Sequence, residues 1–250
     1  MIKQIVQLLH CFWCGDKLQT AALKAQATTK TACKWYSICR LFCEWSVKSD
    51  RSCIGGFGKT VEIDEAVFGQ RKYHRGRKKR SIIVVGGIQR QSRIRLKASC
   101  SQSRIFLELV SDRSSRTLEA VVVKHVNPRT TIITDCFAGY NALVSHGYRH
   151  KTVNHSKNFI DPGTGANTQR IENLWSHLRE FLPKRGLRPN KLQSYLYEFV
   201  YKRNHSGQFK QFLAEIVTTC LEELSDEENC IDPDYSDDDG DAAVTYDMPE

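Results

Sequence analysis

The sequence predicts a layered α/β domain. Strand-like and helix-like segments alternate along residues 59–182, in the order of three strands, a helix, a strand, a helix, a strand and a helix. The segment SIIVVGGI is a continuous apolar run, which is typical of a strand buried on both faces. In NTQRIENLWSHLREFL the apolar residues recur at helical spacing along one side. These observations together indicate helices packed over a buried sheet.

The individual elements follow from local patterns. KTVEIDEAVF alternates as a half-buried strand should, and RIRLKASC is predicted to be the third strand after SIIVVGGI. SRTLEAVVVKHV is helical in pattern, and TTIITD is a short β-branched strand that ends in an acid. Residues 137–146 fit a helix, HKTVNH fits the last strand, and residues 189–221 add one or two helices. We therefore expect the α/β domain to span residues 59–221.

Residues 1–50 are predicted to form a helical region. Asp16 is placed to cap one helix, and Thr28 or Thr29 a second, whose expected apolar face is Trp35, Ile38, Phe42 and Trp45. Two helices joined by a tight turn favour a helix-turn-helix DNA reader, with Lys30 and Lys34 as candidate DNA contacts. A helical hairpin that only packs remains the alternative. Gly55, Gly56 and Gly58 predict a linker over residues 51–58.

Charge is divided very unevenly along the chain. The sequence has 37 basic and 28 acidic residues, and 13 of the acids lie in residues 222–250, which contain no Lys or Arg. The remaining 15 acids leave residues 1–221 with a net charge of +22. A body this basic predicts a polyanionic partner such as DNA. The acidic tail has too few apolar side chains to fold alone, so we expect residues 222–250 to be disordered.

No apolar run approaches the roughly 20 residues needed to span a membrane. We therefore expect an intracellular protein, nuclear in a eukaryotic cell and cytoplasmic otherwise, with neither a membrane nor a small molecule as its partner. The ten cysteines are scattered, which suggests buried thiols rather than a disulfide framework. Cys11 and Cys14 form one CxxC pair, and without a second pair at short spacing zinc binding stays open.

Three acids are the candidate catalytic and metal-binding residues. Asp64 and Asp135 are expected at strand ends, where open α/β sheets gather their ligands, and Glu172 lies on the helix after the last strand. Carboxylates suit Mg²⁺, and two ions about 4 Å apart would serve phosphoryl transfer. Each acid also has a simpler interpretation: Asp64 as a solvated strand residue like Glu62 and Glu65, Asp135 as a helix cap, and Glu172 as an exposed helix residue.

Basic and polar residues near these acids are candidate DNA contacts. Arg179 lies seven positions after Glu172, close to two helical turns, and Asn167 lies about one turn before it. The loop QRKYHRGRKKRS combines basic residues, a tyrosine and a glycine, which suits a segment lying along phosphates. Its candidate DNA-binding residues are Arg71, Lys72, Arg75, Arg77, Lys78, Lys79 and Arg80.

Three segments together resemble a known family. VEIDEAVFGQRKYHRGR, TTIITDCFAGY and TVNHSKNFIDPGTGANTQRIENLWSHLR resemble, in order, the catalytic blocks of Merlin-type transposases of the DDE superfamily, which are related to bacterial insertion-sequence enzymes. The similarity extends to YLYEFVYKRN. It carries the three catalytic acids onto Asp64, Asp135 and Glu172 and a basic residue onto Arg179, while Asn167 departs from the usual His. The helices of residues 1–50 resemble the family's helix-turn-helix.

The resemblance implies a ribonuclease H-like integrase fold and cut-and-paste transposition with Mg²⁺ or Mn²⁺. The expected partners are the element's terminal repeats and target DNA, with the chain acting as a homo-oligomer on DNA. Two other functions stay open: a transposon-derived DNA-binding protein without catalysis, and a ribonuclease H-like nuclease.

Overall fold

The computed structural model describes residues 2–68, 82–90, 103–153, 167–183, 189–205 and 208–223. These residues form two compact units, one built on residues 1–50 with the last described helix and the other on residues 51–204. The basic loop of residues 71–80, the strand predicted in RIRLKASC and the acidic tail beyond residue 223 lie outside the described residues.

The first unit is made of helices. They are α1 (Ile2–Cys14), α2 (Leu18–Ala25) and α3 (Thr29–Ser49), joined by a helix from the other end of the chain, Phe209–Glu223. Phe212 of that last helix stacks on Phe12 at a ring distance of 6.0 Å and meets Phe42 edge-on at 5.6 Å. The sequence boundaries assigned residues up to 221 to the α/β domain. The helix packs with residues 1–50 instead, because its aromatic side complements theirs.

The predicted cap of α3 is confirmed, and the predicted cap of α2 is wrong. The Thr28 hydroxyl accepts a hydrogen bond from the Thr31 backbone N–H at 3.0 Å, as an N-cap residue should. The residue before α2 is Lys17, without a side-chain cap. Asp16 forms an ion pair with Lys24 at 2.6 Å instead. The Asp16 carboxylate thus pairs with a lysine in the last turn of α2 and does not accept a hydrogen bond from the backbone N–H groups of the first turn.

The buried side of α3 differs from the apolar face predicted for it. Its buried residues are Ala32, Cys33, Tyr36, Cys39, Phe42 and Cys43, while Trp45 is 49% exposed. Trp35 and Ile38 are only partly buried. Ala and Cys side chains make up most of the buried side together with Tyr36 and Phe42, while Trp35 and Ile38 lie at its flank. The predicted buried face of α3 was wrong because it counted only large apolar residues and left out the buried Ala and Cys side chains.

The second unit contains a mixed five-stranded sheet. Its strands are β2 (Thr60–Phe68), β3 (Ile82–Gln89), β4 (Ile105–Val110), β6 (Thr131–Asp135) and β7 (Arg149–Val153), in the order β4-β3-β2-β6-β7. β2 and β4 are antiparallel to β3, and β6 is parallel to both β2 and β7. The sequence prediction missed β4. The short strand β1 (Ile54–Gly55), which lies within the predicted linker, pairs in parallel with β5 (Val126–Asn127).

Helices cover both faces of the sheet. Odd-numbered residues of β2 such as Val61 and Ile63 pack against α4 (Ser115–His125) and the 3-10 helix Ala138–His146. Even-numbered residues of β2 face α5 (Gln169–Phe181), which packs through Phe181 and Phe199 on α6 (Pro189–Asn204). The predicted α/β architecture, a mixed sheet flanked by helices, is therefore confirmed. Within the described segments, no helix is long and apolar enough to cross a membrane.

Candidate active site

Asp64 and Asp135 stand side by side on neighbouring parallel strands. The last paired residues of β2 and β6 are Glu62 and Ile133, so the register carried two residues further brings Asp64 opposite Asp135. Both side chains then point to the same face of the sheet, the face covered by α5. The prediction that Asp64 ends its strand is wrong, because β2 continues to Phe68 in its pairing with β3. What ends at this point is the pairing with β6.

The Asp64 carboxylate lies in a poorly solvated position. Burial raises its pKa from 3.8 to about 6, and the negative charges of Glu65 and Asp135 add to the rise. Two hydrogen bonds oppose it, one from the Trp175 indole N–H to Oδ2 at 2.9 Å and one from the Glu65 backbone. The pKa of Asp64 remains raised on balance. The main cause is burial rather than repulsion among the acids.

Asp135 has a second role besides being the neighbour of Asp64. Its Oδ1 accepts a hydrogen bond from the Phe137 backbone N–H at 3.0 Å, which fixes the turn between β6 and the 3-10 helix. The alternative interpretation of Asp135 as a helix cap is wrong, because the N-cap of the 3-10 helix is Phe137 and has no side-chain hydrogen bond. The bond occupies one carboxylate oxygen and orients the side chain, and it is compatible with a cation at the other oxygen.

A third acid, Glu65, lies next to this pair on the opposite face of β2. Its side chain is buried, and Arg113 donates a hydrogen bond to its Oε2 at 3.2 Å. Burial raises the pKa of Glu65, whereas the nearby Tyr140 hydroxyl and Arg113 lower it. Among the described residues, Glu65 Oε1 and the Tyr140 hydroxyl oxygen are both buried and neither has a hydrogen-bond partner of good geometry. Contrary to the sequence interpretation, Glu65 is not a solvated strand residue.

Glu172 lies in the first turn of α5 and is exposed. The Thr168 hydroxyl donates a hydrogen bond to its Oε1 at 3.0 Å. In the part of the chain that the structure describes, no three His, Cys, Asp or Glu side chains are grouped closely enough to hold a metal ion. The structure therefore brings Asp64 and Asp135 together and leaves Glu172 outside a three-acid cluster.

Helix α5 is nevertheless anchored on β2 and β3, beside Asp64. Ile171, Leu174 and Leu178 are buried against the sheet, as predicted from their spacing. Trp175 is also buried and holds Asp64, a contact that the sequence prediction missed. Its indole ring fits over Gly86 of β3, where an added Cβ would lie 2.6 Å from the ring. A glycine at this position allows the helix to approach the sheet.

Glu62 is another buried residue beside the candidate site that the sequence prediction missed, since it was interpreted as solvated. It is 0% exposed and accepts hydrogen bonds from Arg90 and from the first turn of α5. The available signal was its position two residues before Asp64, which places both acids on one face of the strand.

The candidate DNA contacts lie in different surroundings. The Asn167 side-chain oxygen accepts a hydrogen bond from Arg90 at 2.9 Å, so this residue takes part in the anchoring of α5. Arg179 is partly buried in the last turn of α5. Lys30 and Lys34 are exposed at the start of α3, in the first unit.

Of the CxxC pair, Cys11 is buried and Cys14 is exposed on the same helix. The Cys14 thiol contacts the His10 ring, with Sγ at 3.7 Å from Nε2. Burial raises the pKa of Cys11. A buried thiol with a raised pKa is a poor metal ligand, because metals bind the thiolate.

The donor set near Asp64 fits a hard divalent cation. Carboxylate oxygens are the ligands that Mg²⁺ and Mn²⁺ prefer, and two of them share this edge of the sheet. A cation there would offset the cost of burying the Asp64 charge and the repulsion from the nearby acids, both of which raise the pKa of Asp64. A mixed α/β domain with paired acids above its parallel strands is an architecture suited to metal-assisted phosphoryl transfer.

Comparison with known proteins identifies the family. The ISXO2-like transposase domain matches residues 55–204, which cover the whole sheet and helices α4 to α6. The chain therefore belongs to this bacterial insertion-sequence transposase family. A relative from Haemophilus influenzae, described as an uncharacterized transposase-like protein, is 28% identical over 104 residues, covering 41% of this chain and 83% of the relative.

Proposed function

We propose that this chain is a DDE transposase of the Merlin type with a ribonuclease H-like catalytic domain. In this proposal it cleaves DNA phosphodiester bonds at the ends of a mobile element and joins the freed 3′-hydroxyl to target DNA. Membership of the transposase family supports the reaction class. The mixed five-stranded sheet with helices on both faces supports the fold.

The observation that carries the proposal is the Asp64–Asp135 pair. Two acids from parallel neighbouring strands share one face of the sheet, and the pKa of Asp64 is raised to about 6 by burial and by the nearby acids. Burying a charged carboxylate costs free energy of folding, so a residue that only stabilised the fold would be better uncharged at this position. Perturbed carboxylates that converge at a sheet edge are typical of functional sites.

Asp64, Asp135 and Glu172 are the proposed ligands of two Mg²⁺ or Mn²⁺ ions. When bound, the ions supply Lewis acidity to the scissile phosphate and activate the attacking oxygen. The protein holds Asp64 in place through the Trp175 indole and Asp135 through the Phe137 amide. In this proposal Glu172 completes the set by giving up its hydrogen bond from Thr168 and binding the metal.

DNA contact is assigned to the basic surface. Lys30 and Lys34 lie exposed where α3 begins, which supports a helix-turn-helix role for the first unit. Arg179 and Asn167 on and before α5, together with the basic loop of residues 71–80, are proposed to contact DNA close to the acids. The chain is proposed to act as a homo-oligomer that holds both ends of the element.

The test is incubation of the purified chain with Mg²⁺, a target plasmid and the DNA ends that flank its gene. Wild type should cleave the ends and insert them, while Asp135→Asn should bind the ends and leave them intact. Glu172→Gln should also be inactive. Glu180→Gln, which changes another exposed glutamate on the same helix, should remain active.

Each alternative function gives its own result in this assay. DNA binding without cleavage by wild type would mark a transposon-derived DNA-binding protein. Metal-dependent cleavage without strand joining would mark a nuclease. Equal activity of Glu172→Gln and Glu180→Gln would remove Glu172 from the proposed site.

A further inference from the structure

Glu62 is a fully buried acid on the same face of β2 as Asp64, two residues before it. Buried carboxylates are costly unless hydrogen bonds and charges satisfy them. Its oxygens accept three N–H donors, so the requirement is met from two different directions. These partners connect the strand of Asp64 to the helix of Glu172.

The first connection replaces the usual cap of α5. The first N–H groups of a helix lack partners within the helix, and an N-cap side chain normally accepts from the second or third of them. Thr168 stands at the N-cap without using its side chain in this way. Glu62 Oε2 accepts from Arg170 N at 3.0 Å and Ile171 N at 3.1 Å, the second and third residues of the helix. Its negative charge also complements the positive end of the helix dipole.

The second connection runs through Arg90, the residue after β3. Its Nε donates to Glu62 Oε1 at 2.7 Å, and its terminal NH₂ donates to the Asn167 backbone oxygen at 2.6 Å and to the Asn167 side-chain oxygen at 2.9 Å. Arginine suits this position because its planar fork reaches both partners at once. The entry to α5 is therefore fixed from β2 and from the end of β3.

Glu172 directly follows Ile171, so the position of its backbone depends on this anchor. Three residues later Trp175 bonds to Asp64, which means that the two attachments of α5 to β2 flank Glu172. We propose that Glu62 is a positioning residue that sets the distance of Glu172 from Asp64 and Asp135. This inference rests on the proposed function, since it assumes that the three acids bind metal together.

The test uses Glu62→Gln in the full chain. The amide keeps the shape of the side chain but turns one acceptor into a donor, so it cannot satisfy both Arg90 and the α5 amides. Changes in groups that orient metal ligands typically alter metal affinity or activity by about 10- to 100-fold. We expect a loss of that size in the Mn²⁺ association constant, measured by calorimetry without DNA, and in the cleavage rate, while the affinity for DNA stays unchanged.

A double-variant comparison distinguishes positioning from general loss of structure. In a Glu172→Gln background, Glu62→Gln should change Mn²⁺ affinity by less than about twofold, because the ligand that it positions is already gone. Glu198→Gln is the matched control: Glu198 is a buried glutamate bonded to Lys202 on α6. It should leave Mn²⁺ binding as in wild type.

Arg90→Lys provides a second variant, because it keeps a positive charge beside Glu62 but loses the fork that also reaches Asn167. If Glu62→Gln does not fold, weakened Mn²⁺ binding by Arg90→Lys that vanishes in the Glu172→Gln background supports the proposal. Wild-type Mn²⁺ affinity in Glu62→Gln refutes the proposal and leaves the proposed function standing. If Glu62→Gln does not fold, wild-type Mn²⁺ affinity in Arg90→Lys does the same. Absence of both Mn²⁺ binding and cleavage in wild type refutes both.

Discussion

Replacing Asp64 with asparagine should make the metal-free protein more stable at neutral pH. The pKa of Asp64 is raised from 3.8 to about 6, so the folded state holds its proton more tightly than the unfolded chain does. A raised pKa contributes stability that is fully present below about pH 3.8 and is lost as the pH rises through about 6. At about 1.4 kcal/mol per unit, the shift of about two units corresponds to about 3 kcal/mol at pH 8.

The Asp64→Asn substitution removes this titration, and the new amide keeps an oxygen that accepts the Trp175 indole N–H. The assay is urea unfolding of wild type and Asp64→Asn with a chelator present, at several pH values between 3 and 8. The difference in the free energy of unfolding should be near zero at pH 3 and approach about 3 kcal/mol in favour of the variant at pH 8. A variant no more stable than wild type at pH 8 would refute the assigned burial of a charged Asp64.

Three further outcomes follow from the same contacts. Trp175→Phe removes a donor that lowers the pKa of Asp64, so the pH midpoint of Mn²⁺ binding should rise by about one unit or more; an unchanged midpoint contradicts this. Gly86→Ala pushes a Cβ into the Trp175 ring and should lower the free energy of unfolding by about 1–3 kcal/mol in urea titrations; a change within about 0.5 kcal/mol would contradict the close packing. Hydrogen bonds from Ser114 hold the pKa of Asp112 below its usual range, a contribution present above about pH 3.8 and lost as the pH falls, so Asp112→Asn should destabilise α4 more at pH 7 than at pH 3 in hydrogen exchange; equal destabilisation at both pH values would contradict it.

The sequence was most informative where one physical signal dominated. Alternation in KTVEIDEAVF, the apolar run in SIIVVGGI and the spacing of Ile171, Leu174 and Leu178 each correspond to an observed element. Parallel pairing of β2 with β6 places the two predicted aspartates, Asp64 and Asp135, on neighbouring strands. The periodicity of apolar residues reflects which face of an element is buried, so it can be recognised without knowing the rest of the fold.

The failures arose where distant parts of the chain decide the outcome. The last helix, Phe209–Glu223, packs with residues 1–50 because Phe212 meets aromatic rings some 170–200 positions earlier, which local patterns cannot reveal. The strand position of Glu62 puts it on the same face as Asp64 but does not reveal whether that face is covered. Its burial depends on the backbone amides of α5, 108 and 109 positions away, and on Arg90. No local pattern indicated that Glu172 would bond to Thr168 instead of facing the two aspartates.

The central claim is that Asp64, Asp135 and Glu172 bind divalent metal as one site. It is tested most directly by anomalous diffraction from crystals of the full chain soaked in Mn²⁺. We expect an anomalous peak between the Asp64 and Asp135 carboxylates, with Glu172 turned away from Thr168 and its carboxylate at bonding distance from the metal. Density that shows no Mn²⁺ between the aspartates, or Mn²⁺ there with Glu172 still bonded to Thr168 and remote from it, would contradict the claim.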